Sequence, residues 1–341
     1  MKSVNVAVVG ATGLVGETVI SILSERQFPV GQFYAVASER SEGSTVLFKQ
    51  RPFLVEDIVS FDFSQVDLAI FCVSAELAAL YIPQATAKKC IVIDNSAHYR
   101  YDDEVPLIIP EVNPEVISQY KQRRIIANPN CSTIQLLVAI KPIYDAVGIA
   151  RINIATYQSV SGAGREGLNE LALQTGALLN GQRHQNKVFP LQIAFNLIPQ
   201  IDAFQENGYT KEEMKIVWET QKILNDPLIR VNPTAVRVPV FFGHSEAVHI
   251  ETRDKISVEA VKELLRTAPG VVLVNEQGHL KYPTPVTHAA EKDSVFVGRV
   301  REDISHPQGL DLWIVADNIR KGAALNAVQI AELLIQDNAW A

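Results

Sequence analysis

The chain has 341 residues, of which 47 % are hydrophobic and 20 % are charged, and its formal net charge is −7. A chain of this length is expected to fold as two domains. The negative net charge and the lack of a long basic run argue against nucleic acid or an anionic membrane as the main partner. Small anionic ligands are compatible with this charge, because a few well-placed cations are enough to bind them.

Cysteine spacing argues against a disulfide framework and against a structural zinc site. The three cysteines, Cys72, Cys90 and Cys131, form no C-x-x-C pair and have no paired spacing with histidine. We therefore predict a reducing compartment and no bound metal. The chain starts with a short polar stretch that runs directly into a strand-like apolar segment and a glycine, which does not fit a signal peptide or a membrane span. We predict a cytoplasmic protein.

The first predicted strand, Val4–Val9, is nearly all apolar, as is typical of a parallel strand buried on both faces. Three glycines follow it in the pattern G-x-x-G-x-x-G, and apolar residues then recur at helical spacing. A glycine turn between a first strand and a first helix lets backbone N–H groups approach phosphates. The alternative interpretation of this pattern is a tight turn that binds no ligand. We predict a dinucleotide site here, with these cofactor contacts: Gly10, Thr12, Gly13, Leu14 and Val15.

The second predicted strand is Gln32–Ser38. In a dinucleotide-binding domain, the residues at the end of this strand contact the ribose whose 2′ group distinguishes NAD from NADP. Ser38, Arg40 and Ser41 suit the 2′-phosphate of NADP, whereas Glu39 suits a free 2′-hydroxyl. We favour NADP, because the guanidinium of an arginine is a planar fork of several donors.

Further strands and helices alternate in the first part of the chain. Val66–Ser74 and Cys90–Ser96 read as buried strands, and Ala75–Lys89 between them reads as a helix. This alternation predicts a doubly wound α/β domain of the Rossmann type.

The pattern changes after Cys131. Longer and more alternating strands predict a mixed or antiparallel sheet with one wetter face, at residues 150–162, 235–254, 270–276 and 294–303. Helices are predicted over 210–225, opened by Thr210, and over 317–336. We predict a Rossmann-type NADP-binding domain up to residue 130, followed by an α+β domain with a mixed sheet.

Cys131 follows Asn-Pro-Asn and precedes an apolar run with helical spacing. The positive end of a helix dipole favours a thiolate, so this position suits a nucleophile. Most free cysteines are small buried hydrophobic residues, and this stretch alone leaves both interpretations open.

Several stretches together resemble the aspartate-β-semialdehyde dehydrogenase family, in the family's order and along the whole chain: GATGLVG, ASERS, NPNCSTIQ, QSVSGAG, EEMK, RVPVFFGHS and DNIRKGAALNA. The resemblance implies an oxidoreductase that converts L-aspartyl-4-phosphate to L-aspartate 4-semialdehyde and inorganic phosphate with NADPH. It also implies a place in lysine, threonine, methionine and diaminopimelate biosynthesis, and a homodimer or homotetramer built through the second domain.

The resemblance also implies roles for individual residues. Cys131 would form a thioester with the substrate, and His244, at a break between two strand-like runs, would be the acid/base. Arg237 would bind the substrate carboxylate and Glu212 its amino group. The other implied substrate contacts are Lys215, Arg100 and Asn130 for the phosphate, and Gln158 near Cys131. Without the resemblance, Arg237 reads as an exposed strand arginine, and Glu212 and Lys215 as a surface ion pair.

A second glycine-rich loop and the last helix complete the implied cofactor site. The resemblance places Ser161, Gly162 and Asn318 at the nicotinamide end of the cofactor. Asn318 is expected at the start of the last helix, which would return to the first domain. The resemblance therefore implies a Rossmann-type NADP-binding domain at 1–130 and 318–341, and an α+β catalytic and dimerisation domain at 131–317.

Two alternative functions are considered for this sequence pattern. One is an N-acetyl-γ-glutamyl-phosphate reductase-like enzyme, for which Glu212 would have no free amino group to bind. The other is a non-catalytic paralogue acting as a binding or scaffold subunit. The joint presence of Cys131, Gln158, Arg237 and His244 weighs against a non-catalytic paralogue, because a purely structural role would not require this set of residues.

Overall fold

The computed structural model describes residues 3–274 and 282–340, and the chain forms two compact units. The first unit consists of Met1–Pro129 and Ala323–Ala341, and the second of Asn130–Gly322. The chain thus re-enters the first unit at Ala323 rather than at the predicted Asn318. Asn130 and Asn318, which we placed in the first domain, both lie in the second unit.

The elements are numbered along the chain. The helices are α1 (Leu14–Glu25), α2 (Ala75–Ala87), α3 (Cys131–Val147), α4 (Gly164–Leu179), α5 (Lys211–Ile223), α6 (Val258–Thr267) and α7 (Leu325–Gln336). The strands are β1 (Val4–Val9), β2 (Val30–Ala37), β3 (Thr45–Phe48), β4 (Arg51–Asp57), β5 (Leu68–Phe71), β6 (Ile91–Asp94), β7 (Ile125–Ala127), β8 (Ile149–Gln158), β9 (Arg230–Arg237), β10 (His244–Thr252), β11 (Val271–Leu273), β12 (Val295–Glu302) and β13 (Gly309–Ala316).

In the first unit, the described residues form a seven-stranded sheet in the order β3-β4-β2-β1-β5-β6-β7. Every pairing is parallel except that of β3 with β4. The central strands are buried on both faces, which explains their continuous apolar sequences. The prediction of a Rossmann-type α/β domain is confirmed.

The hairpin of β3 and β4 was not predicted. Its two-residue turn consists of Lys49 and Gln50, both with positive φ, at 48° and 63°. Such turns usually contain glycine or asparagine, so the sequence lacks the ordinary hairpin signal.

In the second unit, the described residues form a six-stranded sheet in the order β11-β12-β13-β10-β8-β9. The pairs β11–β12 and β8–β9 are parallel, whereas β12–β13, β13–β10 and β10–β8 are antiparallel. The predicted mixed sheet is therefore confirmed. Of the predicted strand 270–276, Asn275 and Glu276 lie outside the described residues. Over the parts of the chain described here, no helix is long and apolar enough to cross a bilayer.

The predicted start of the last helix is wrong. Helix α7 begins at Leu325, and a π-helical turn at Arg320–Ala324 precedes it. The Asp317 carboxylate accepts the N–H groups of Ile319 and Arg320, each at 2.8 Å, so the chain makes a side-chain-supported turn there.

The glycine turn after β1 is held by close backbone packing. Gly10 has a φ of +85°, and a Cβ atom on it would lie 2.3 Å from the carbonyl oxygen of Cys72. Helix α1 then starts after Gly13, which provides no side-chain cap. Its first-turn N–H groups are therefore suited to an anion.

We predict that Gly10→Ala destabilises the protein more than Gly43→Ala does. Gly43 also has a positive φ, of +76°, but has no atom within 4 Å of a Cβ built on it. The control should lose only the conformational cost, about 1–2 kcal/mol. Gly10→Ala should lose about 1–3 kcal/mol more because of the clash. Chemical denaturation measures both free energies of unfolding, and equal losses would contradict the packing argument.

Candidate active site

Cys131 is the first residue of α3. The Asn130 side chain caps the helix, since its Oδ1 accepts the Ser132 N–H at 2.9 Å, and Cys131 Sγ lies 3.5 Å from the same oxygen. Burial raises the thiol pKa of both Cys72 and Cys90, whereas Cys131 is half-buried at the positive end of a helix dipole. Its position is that expected of a reactive thiol.

A glycine allows the chain to pass directly over Cys131. A Cβ atom on Gly322 would lie 2.7 Å from the Cβ of Cys131 and 3.2 Å from its Cα. Any larger residue at this position would push the cysteine out of place.

Three predicted site residues lie at adjacent strand ends. Gln158 ends β8, Arg237 ends β9, and His244 begins β10, on the other side of β8. The parallel register pairs Gln158 with Arg237, and the antiparallel register pairs Tyr157 with Ser245, next to His244. The sheet therefore brings an amide, a guanidinium and an imidazole to one edge. All three side chains are buried.

His244 is held as a neutral base. Burial, and next the positive charge of Arg237, lower its pKa to about 3. The Ser159 N–H donates to His244 Nδ1 at 3.1 Å, so Nδ1 is an acceptor and the ring proton lies on Nε2. The side-chain nitrogen of Gln158 lies 3.4 Å from Nε2, so the amide and the ring are side by side.

Glu212, on α5, connects the other groups of the site. Its Oε1 accepts from Asn130 Nδ2 at 2.9 Å and from Gln158 Nε2 at 3.2 Å, and its Oε2 accepts from Lys215 Nζ at 2.9 Å. Burial opposes ionisation, but the charge of Lys215 and these hydrogen bonds bring the pKa of Glu212 to about 2. Lys215 also contacts Asp202 at 3.1 Å. Because Glu212 is only 5 % exposed, the pair is not a surface ion pair.

Arg237 is 7 % exposed and is not a surface arginine. Its Nη1 donates to the carbonyl oxygen of Ser159 at 2.8 Å. Burial lowers the pKa of Arg237, and the nearby Glu212 and Cys131 raise it. A Cβ atom on Gly162 would lie 2.7 Å from Nη1, so the predicted glycine loop admits the guanidinium only because this residue has no side chain.

Asn318 joins this site through hydroxyl groups. Its Oδ1 accepts from Ser159 Oγ at 3.0 Å, from Ser161 Oγ at 3.1 Å and from the Gly243 N–H at 3.0 Å. The predicted cofactor residues Ser161 and Asn318 are thus in contact with each other and beside His244. With its oxygen fully used, Asn318 can offer a ligand only its amide N–H groups.

The remaining predicted residues lie in the first unit. Thr12 Oγ1 and Ser41 Oγ are 3.1 Å apart, so the glycine turn and the residues after β2 are adjacent. Ser38 directly precedes a short 3-10 turn at Glu39–Ser41, in which Arg40 is exposed. Arg100 is buried, and its Nη2 donates to the carbonyl oxygen of Asn95 at 2.9 Å. This unit therefore places hydroxyl groups beside the glycine turn, and Arg40 is exposed in the short turn that follows β2.

Comparisons with known proteins agree with this geometry. Residues 5–120 match the domain family described as semialdehyde dehydrogenase, NAD binding domain, and residues 140–321 match semialdehyde dehydrogenase, dimerisation domain. Aspartate-semialdehyde dehydrogenase 2 of Vibrio cholerae is 59 % identical over 333 residues, which are 98 % of each chain. The chain belongs to the aspartate-semialdehyde dehydrogenase family. The predictions of an oxidoreductase and of a nicotinamide dinucleotide cofactor are thereby confirmed.

Two further similarities extend this result. Aspartate-semialdehyde dehydrogenase of Shewanella violacea is 58 % identical, over 98 % of each chain. The crystal structure of aspartate semialdehyde dehydrogenase II from Vibrio cholerae, complexed with ASA, has a TM-score of 0.97 at 58 % identity, over 99 % of this chain and 100 % of that one. The fold therefore matches that of a ligand-bound member of the family.

Two residues of the candidate site, Ser159 and Glu219, were not predicted from the sequence. Ser159 binds His244, Arg237 and Asn318, and its position inside the quoted QSVSG stretch was the only signal for it. Glu219 accepts the Asn130 N–H at 2.7 Å. Its only signal was its place about two helical turns after Glu212. Among the residues that the structure describes, no group of three or more side chains could hold a metal ion.

Glu246 lies behind the site, on the same face of β10 as His244. It is fully buried, and burial raises its pKa well above the usual range, which the nearby Gln135 only partly offsets. Because the folded protein keeps this proton longer than the unfolded chain does, stability falls as pH rises above the ordinary value of 4.5.

We predict that Glu246→Gln removes this loss. The free energy of unfolding of the variant, relative to the native protein, should increase with pH above about pH 5, by up to about 1.4 kcal/mol per pH unit. Urea denaturation at several pH values measures it. Glu302→Gln, at an exposed position on β12, is the control and should show a constant difference. The same pH dependence in both variants would rule out the buried acid as the cause.

Proposed function

We propose that this protein converts L-aspartyl-4-phosphate to L-aspartate 4-semialdehyde and phosphate, in amino-acid biosynthesis, through a thioester on Cys131. Cys131 carries this proposal, because it stands at a helix start beside a buried cation and a network that ends at a neutral histidine. The family's named members provide the second support.

Cys131 acts first as the nucleophile. Its thiolate attacks the acyl carbon, the bond from that carbon to the phosphate oxygen breaks, and phosphate leaves. The first-turn N–H groups of α3 stabilise the oxyanion that forms during this attack. When bound beside Ser161, Gly162 and Asn318, a nicotinamide dinucleotide would supply the hydride that reduces the thioester. Collapse of the resulting thiohemiacetal then breaks the sulfur–carbon bond and releases the aldehyde. His244 shares its Nε2 proton with the reacting oxygen, where it stabilises the oxyanion, and this proton returns to Nε2 on collapse, because Nδ1 is held by the Ser159 N–H.

Charged side chains bind the substrate in this proposal. Arg237 pairs with the α-carboxylate, and Lys215, Arg100 and Asn130 bind the phosphate. Glu212 binds the ammonium group, and Gln158 orients the acyl group near Cys131. A carboxylate with a pKa of about 2 stays ionised and favours a free ammonium over an acylated amine. This supports the aspartyl substrate over an N-acetylglutamyl one.

We predict that Cys131→Ser lowers kcat by on the order of 1,000-fold or more, because a serine hydroxyl at this position is a far weaker nucleophile. Acid quenching of the native enzyme during turnover should leave an acyl adduct on the Cys131 peptide, detectable by mass spectrometry. Cys90→Ala, at a buried position, is the control and should keep native turnover. A serine variant with full activity, or an unmodified Cys131 peptide during turnover, would disprove the thioester.

The cofactor in this proposal is NADP. The uncapped start of α1 and the close-packed Gly10 turn suit the pyrophosphate, and Ser38, Arg40 and Ser41 suit the 2′-phosphate. The exposed Arg40 is free to turn toward that phosphate, which Glu39 alone would repel.

We predict that the native enzyme prefers NADP and that Arg40→Ala raises KM for NADP by about 10- to 100-fold, the effect of one lost charged hydrogen bond. Its KM for NAD should stay within about threefold of the native value. Arg51→Ala, at an exposed arginine on β4, is the control. Steady-state kinetics with both cofactors measure this, and a native preference for NAD would remove Arg40 from the role.

We also propose a cytoplasmic homodimer, alone or paired into a homotetramer, built through the second unit. The match of residues 140–321 to a dimerisation domain supports this assembly.

A further inference from the structure

We propose that Glu219 is a positioning residue that fixes Cys131 through the main chain of Asn130. Its effect on turnover rests on the proposed function, whereas its effect on the thiol does not. Glu219 lies on α5, is 0 % exposed, and its Oε2 accepts the Asn130 N–H at 2.7 Å.

Glu219 replaces a local capping residue. In a capping box, the third residue of the helix reaches back to the N–H of the cap residue. Helix α5 has such a box, made by Thr210 and Glu213. In α3 the third residue is Thr133, whose Oγ1 has no hydrogen-bond partner among the described residues. The N–H of Asn130 is instead satisfied by a carboxyl group from another helix.

Two glutamates of α5 hold Asn130 at two different points. Glu212 accepts from its side-chain amide at 2.9 Å, and Glu219 accepts from its main-chain N–H at 2.7 Å. They lie about two turns apart on one buried face of the helix. Asn130 can therefore neither rotate its side chain nor shift its backbone without breaking a buried hydrogen bond.

Fixing Asn130 also fixes the reacting atoms. Cys131 is the next residue, so the direction of its Cα–Cβ bond and of the first N–H groups of α3 depends on the Asn130 backbone. A displacement of about 1 Å at a reacting group can cost about 100-fold in rate. The first N–H groups of α3 stabilise a thiolate only while the sulfur stays beside them.

The test compares three substitutions of Glu219 with one control. Glu219→Leu removes the acceptor, Glu219→Asp withdraws it by one methylene, and Glu219→Gln keeps one acceptor oxygen. Glu213→Leu removes a carboxyl group of the same helix that accepts the N–H groups of Thr210 and Ala235, at 2.7 and 2.9 Å. It should cost stability without moving Cys131.

Alkylation by iodoacetamide, with the Cys131 peptide followed by mass spectrometry, needs no substrate. We expect the rate at Cys131 to fall about 10-fold or more in Glu219→Leu and about threefold or more in Glu219→Asp, and to stay near native in Glu219→Gln and Glu213→Leu. In turnover, Glu219→Leu should lower kcat about 10- to 100-fold with KM changed by less than about threefold.

Native alkylation rates in Glu219→Asp would overturn the proposal, even if Glu219→Leu does not fold. Equal losses in Glu213→Leu and Glu219→Leu would also overturn it, because they would indicate a general loss of stability. If the native protein fails to turn over the semialdehyde while the alkylation rates differ as expected, the proposed function fails and the role of Glu219 stands.

Discussion

A buried carboxylate must have donors on both oxygens, and at Glu212 those donors are themselves residues of the site. Asn130, Gln158 and Lys215 satisfy it, and each also borders another functional group. Asn130 caps the cysteine helix, and Gln158 lies beside the imidazole of His244. If an apolar residue replaced Glu212, the donors of Asn130, Gln158 and Lys215 would all lose this acceptor together. The positions of the helix start and the strand ends therefore depend on one ionised group.

Glu212 is ionised and His244 is neutral, although both side chains are buried. Both side chains are withdrawn from water, but Glu212 has donors and a cation, whereas His244 faces the positive charge of Arg237 and has Ser159 donating to its ring. Burial disfavours the charged form of either group, and the neighbours decide which one becomes charged. Both pKa values are lowered, and the site therefore holds one ionised carboxylate and one neutral imidazole at neutral pH.

Local patterns predicted those elements that are decided locally. Apolar runs gave β1, β5 and β6, and Asn130 before a helical apolar run gave the start of α3 at Cys131. The hairpin of β3 and β4 was not predicted, because Lys49 and Gln50 adopt positive φ where such turns usually have glycine or asparagine. Glu219 was not predicted for a different reason. Its partner, Asn130, is 89 residues away in the sequence, and the periodicity of α5 does not show which of its buried acids contacts another helix.

The misplaced start of the last helix shows how a site can override a helical pattern. Residues 317–322 read as helix, yet Asp317 forms a turn, Asn318 binds Ser159 and Ser161, and Gly322 lies against Cys131. These contacts need a segment that crosses both Cys131 and the residues next to His244, which a straight helix from residue 317 could not provide. The π-helical turn at Arg320–Ala324 takes up the difference before α7 begins, and π-helical insertions of this kind are often found at functional sites. Asn318 therefore serves the second unit, and only the residues after Gly322 are left to build the helix of the first.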